Sequence, residues 1–164
     1  MRREQHHRAR AWANQRAAEC PRRIVADHIL RDAEGDAIEI QEQVAAVAEA
    51  MRPEYEAIVA AGLILQLDSP DLGLGRHMMY KDRSDADYLR LIGGHVEALN
   101  HALRNVPADR VRMHVCWGNY EGPHDHDIPL ERVVDIVLAA RPATILFEGA
   151  NPRHEHEWTV WRDA

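Results

Sequence analysis

The sequence predicts an α/β fold of about three parallel βα units preceded by a helix. Three observations predict it. Segments with apolar residues at helical spacing alternate with short, nearly continuous apolar runs. Those runs, LILQLD at 63–68, VRMHVC at 111–116 and ATILFE at 143–148, each lead into a polar stretch. The resulting order of helix, strand, helix, strand, helix, strand, helix needs crossover connections, which parallel strands require.

The elements follow in order. From about residue 41, Val44, Val47, Ala48, Met51, Tyr55, Ile58 and Val59 recur at helical spacing. Pro53 lies inside that run as a start, kink or break, and Gly62 ends it. LILQLD then reads as a strand covered on both faces. SPDLGLGRHMMYKDR reads as a long loop. Ser84 and Asp87 make an S-x-x-D helix start of the capping-box kind. Leu89, Ile92, Val96, Leu99, Leu103 and Val106 step by threes and fours along the helix, and Pro107 closes it. VRMHVC is the second strand. Residues 117–127 form a loop, with Asp127 as a cap and Pro129 in the first turn of a helix whose apolar face is Leu130, Val133, Val134 and Val137. ATILFE is the third strand, and a polar loop with a short helix, HEHEWTVWRD, follows it.

The composition narrows the function classes. The 164 residues suffice for one ordinary domain, and 46% hydrophobic with 29% charged residues is a soluble, globular balance. A net charge of -7 argues against nucleic-acid binding, because phosphate contacts need a basic face. No window approaches the roughly 20 apolar residues of a membrane span, and no apolar stretch follows the basic start as in a secretory signal. Two cysteines, Cys20 and Cys116, make no disulfide framework. A thiol beside a metal-binding histidine favours a reducing, cytoplasmic setting. Residues 1–40 are expected to form a disordered or irregular arm, and 41–164 the domain. The Arg- and His-rich start is open to two readings, a basic arm for an acidic partner or a solvated tail.

His114 and Cys116 carry the chemistry. Two apart in a strand, their side chains point to one face, and imidazole nitrogen and thiolate sulfur are both zinc ligands. Glu148 ends the next strand and reaches the same volume if the strands are neighbours. Three protein ligands with an open position is the pattern of a catalytic zinc. On residue types alone, H-x-C is a weak signal, and a buried cysteine with a satisfied core histidine explains the pair better than a metal does. There is no G-x-G-x-x-G after a strand, and GLG at 73–75 does not make a nucleotide site.

VRMHVCWGNYEGPHDHDIPL followed by FEGANPRHEHEW resembles the cobalamin-independent methionine synthase family, in particular its short single-barrel relatives. LILQLDSPDL resembles that family's IQIDEP strand. The three motifs occur in order, and the resemblance spans roughly residues 44–164. It implies a TIM barrel, here a partial (β/α) barrel, with Zn2+ at the C-terminal ends of its strands. By resemblance, His114, Cys116 and Glu148 match three zinc ligands. Asp68 matches the aspartate that holds the amino group of the amino-acid substrate. Ser69 stands where the longer enzymes have glutamate. The implied activity is zinc-dependent methyl transfer to a homocysteine-like thiol from a methyl-folate-like donor, a step of methionine biosynthesis. Relatives that open epoxides with the thiol of coenzyme M use a similar site and supply an alternative electrophile.

The family's fourth ligand is a cysteine in a later segment resembling DCG, and the sequence reaches Ala164 before any such segment. An incomplete barrel is therefore expected, whose open edges call for self-association or a partner chain. The non-enzyme alternative is an inactive, truncated barrel that binds zinc or that partner. Around the ligands, Trp117, His124, His126, Arg153 and His154 are candidates for lining the mouth of the site or holding Glu148 in place. Each also has a plain reading: loop and helix-cap residues for His124 and His126, packing for Trp117, and an exposed helix start for Arg153, His154 and His156. Trp158 and Trp161 are expected to pack the last helix.

Overall fold

In the computed structural model, residues 37–119 and 121–164 are described, so the expected arm of residues 1–40 lies almost wholly outside them. Nearly all described residues belong to one compact unit, Gln41–Ala164. Three strands, β1 (Leu65–Asp68), β2 (Val111–Val115) and β3 (Thr144–Phe147), form a parallel sheet in the order β1-β2-β3. Helix α1 (Ala37–Ala60) precedes it. Helices α2 (Gly75–Met78) and α3 (Asp85–Ala102) connect β1 to β2, α4 (Leu130–Leu138) connects β2 to β3, and α5 (Trp158–Asp163) follows. No described helix is long and apolar enough to cross a membrane.

The core lies between one face of the sheet and α3 and α4. Leu65 and Leu67 of β1 and Val111, Met113 and Val115 of β2 are buried there against Tyr88, Ile92 and Val96 of α3 and Leu130, Val133 and Val137 of α4. Burying each such aliphatic side chain is worth roughly 1.5–3 kcal/mol. The α3 positions recur by fours and the α4 positions by threes and fours, as one face of a helix demands. Ser84 caps α3: its hydroxyl accepts from the Asp87 N–H at 3.1 Å and donates to the Asp87 carboxylate at 2.6 Å.

The other face of the sheet is open. Gln66, Asp68, Arg112 and Thr144 are exposed on it. LILQLD is thus not covered on both faces, and β1 is shorter than the apolar run. Its residues alternate buried and exposed because the described helices pack on one side of these three strands.

Three further expectations change. Pro53 does not break α1, which runs through it. Arg52 bridges the lost turn, bonding Glu49 and Glu56 on either side; Ala48 is buried before it, and Tyr55, Ile58 and Val59 pack against the core after it. The expected long loop after β1 contains a 3-10 turn, Pro70–Leu72, and α2. Asp127 does not cap α4. The Leu130 N–H donates instead to Glu157 Oε1 at 2.9 Å, from 27 residues later in the chain.

Candidate functional site

The site gathers at the C-terminal ends of the three strands. Register places Asp68 of β1 opposite His114 of β2, and His114 opposite Leu146 of β3. Side chains alternate along a strand, so these three share the open face. Carried one residue past each strand, the alternation brings Cys116 and Glu148 to that face. Asp68 Oδ1 is 2.6 Å from His114 Nδ1, which leaves the Nε2 edge of the ring for another partner. Both side chains are accessible, His114 at 34% and Asp68 at 65% of full exposure.

Cys116 is a half-buried free thiol. Burial pushes it above the ordinary thiol range. A hydrogen bond with the Gly118 backbone opposes this, and the charges of Asp68 and Glu148 reinforce it. Its backbone is pinned by the loop after β1: the Leu74 N–H donates to the Cys116 carbonyl at 3.1 Å. Gly73 packs so closely there that a Cβ would fall 2.7 Å from the same carbonyl oxygen and 3.1 Å from the Trp117 ring. Gly118 adopts φ +83, a left-handed conformation that suits glycine, and turns the chain away from the strand end.

The donor set fits a zinc ion chemically. An imidazole nitrogen, a thiol and a carboxylate approach one face, and two carboxylates acting on a thiol make a place where a cation relieves repulsion. They are not drawn into a shell: among the described residues no group of three or more His, Cys, Asp and Glu side chains is arranged to hold a metal ion. Glu148 is exposed at the end of β3.

The flanking residues sort differently from the expectation. His124 and His154 form a second, more buried cluster with Asp127 and Glu157. Asp127 Oδ2 lies 2.8 Å from His124 Nδ1 and 3.0 Å from His154 Nε2. His154 Nδ1 lies 2.8 Å from Glu157 Oε2. The His154 ring stacks on Trp117 at 4.7 Å between centroids, and the Trp117 indole N–H donates to the Ile128 carbonyl at 2.7 Å. His154 is thus no exposed helix start. His124 stacks on His77 of α2 at 5.2 Å. His126 is exposed, and its backbone N–H donates to His77 Nδ1 at 3.3 Å. Arg153 is exposed and donates to the Gly122 carbonyl at 3.4 Å. Trp158 is also exposed, at 55%, whereas Trp161 packs on the core and stacks on Phe147. Sequence reasoning missed Glu157 altogether. Its only signal was a carboxylate three residues after His154, the spacing of one helical turn.

Fold and site together define a parallel βα sheet that carries an imidazole–carboxylate pair and a thiol at its C-terminal edge. Comparison with protein-family models, curated proteins and solved structures finds no significant match.

Proposed function

We propose that the domain is a partial (β/α) barrel of the cobalamin-independent methionine synthase type, and that its chemistry is zinc-dependent methyl transfer to a small-molecule thiol. The observation that carries this reading is the Asp68–His114 pair beside Cys116. A carboxylate bound to one imidazole nitrogen sets the ring's orientation and makes the other nitrogen a better ligand. His114, Cys116 and Glu148 would hold the zinc. Bound there, zinc supplies the positive charge that keeps an acceptor thiol as thiolate at neutral pH. Asp68 keeps Oδ2 for the ammonium group of an amino-acid acceptor. The acceptor sulfur bonds to the methyl carbon while the donor's methyl–nitrogen bond breaks, and that nitrogen takes up a proton.

Elemental analysis of the full chain tests the reading. Stoichiometric zinc is expected, lost in the double variant His114→Ala, Cys116→Ala. Unchanged zinc in that variant would show that the metal, if any, sits elsewhere. A second reading, an inactive partial barrel that takes up a partner chain, is favoured by the outer edges of β1 and β3, which pair with no other strand among the described residues, and by the ungathered donors there. Zinc-loaded protein that turns over neither methyl-folate nor an epoxide with a thiol acceptor would select it.

A further inference from the structure

We propose that His154 is a positioning residue for the end of β2. It is the joint of a buried chain, His124–Asp127–His154–Glu157, through which the C-terminal segment fixes Trp117 and hence the thiol of the adjacent Cys116. The inference rests on reading Cys116 as a site residue.

Two segments meet at this one imidazole, the loop after β2 and the C-terminal segment. Nε2 faces Asp127 in the loop after β2, at 3.0 Å, and Nδ1 faces Glu157 in the C-terminal segment, at 2.8 Å. The ring's face lies on Trp117. Glu157 passes the link on to the first turn of α4 through the Leu130 N–H at 2.9 Å. The four side chains in the chain are between 1% and 11% exposed. An imidazole engaged at both nitrogens and on one face cannot turn without breaking one of these contacts. Trp117 is correspondingly boxed in by His154, by its bond to Ile128 and by the close approach of Gly73. The residue before it in the chain is Cys116.

The cluster is a costly way to join two segments. Asp127 Oδ1 is buried without a hydrogen-bond partner, a loss that apolar packing of the same shape avoids. What polar bonds supply and packing does not is fixed direction, here for the indole next to the thiol.

The test uses the full chain with Cys20→Ser, so that Cys116 is the sole thiol. Iodoacetamide alkylation, at a temperature where the protein is fully folded, reports the thiol's setting without any metal. His154→Phe retains a ring for Trp117 and removes both hydrogen bonds. It is expected to change the alkylation rate of Cys116 at least fivefold, and His154→Gln, which restores one bond, to recover part of that change. Zinc affinity is expected to fall about tenfold in His154→Phe, the usual cost of loosening a ligand's support. An alkylation rate and a zinc affinity within twofold of the parent in a folded His154→Phe protein would overturn the inference. So would loss of fold in both variants, which assigns the chain to stability alone. If the parent binds no zinc while His154→Phe still alters the thiol, the metal reading fails and the positioning role stands. Unaltered alkylation together with unaltered zinc binding gives the reverse.

Discussion

Asp68 and His114 are partners twice over: their backbones pair in register on β1 and β2, and their side chains close the same pair with a 2.6 Å contact between Oδ1 and Nδ1. A residue that leaves the strand in place can therefore still free the ring.

Asp68→Asn is expected to weaken zinc binding by roughly 10- to 100-fold, since the amide no longer favours the tautomer with hydrogen on Nδ1 so strongly. Because both side chains are accessible, stability should change by less than about 1 kcal/mol. Competition against a chromophoric chelator gives the affinity and urea unfolding gives the stability. Undiminished affinity would remove Asp68 from any supporting role.

Cys116 should react slowly with alkylating agents at neutral pH. Burial, then the carboxylates of Asp68 and Glu148, disfavour its thiolate, against the Gly118 backbone. The rate is expected to rise with pH along a curve displaced upward from that of an unfolded cysteine, at about 8.5. Glu148→Gln should shift the curve down, toward that value. The sign for stability follows: a thiol raised in the folded state adds stability that is complete below the unfolded value and is lost as pH rises through the folded one. A profile that coincides with that of the urea-unfolded chain would refute the burial argument.

Gly73→Ala should destabilise the domain by about 1–3 kcal/mol, the usual cost of overpacking. Its Cβ would meet the Cys116 carbonyl at 2.7 Å, and backbone gives way less readily than a side chain. Thermal unfolding monitored by tryptophan fluorescence checks this, because the same Cβ presses on Trp117. By contrast Gly93→Ala, at a helical glycine with open space around it, should stabilise by a few tenths of a kcal/mol or more. Equal melting temperatures for the two variants would contradict the packing argument.

The helices and the order of elements were legible where burial is periodic. Ile92 and Val96, four apart, both lie in the core, and the Ser84 cap announces α3. That His114 and Cys116 belong to one face follows from the two-residue period of a strand and needs no tertiary knowledge. The one-sided covering of β1 was not legible, because LILQLD has the composition of a strand buried on both faces and only the number of packed helices decides between the two. Nor was the cluster around His154. Asp127 looks like a helix cap, and its bond with His154 joins residues 27 apart that no local rule connects. The resemblance implied that His114, Cys116 and Glu148 serve together. The structure brings Asp68 against His114 and leaves Glu148 exposed.

The bond from the Leu130 N–H to Glu157 also orders events in time. The first turn of α4 takes its partner from 27 residues further along the chain. At a synthesis rate of roughly 5–20 residues per second, that partner arrives about one to five seconds after Leu130 itself. Until then the loop that follows Cys116 has neither of the carboxylate–imidazole bonds made by His154, so it is tied down only once the C-terminal segment is in place.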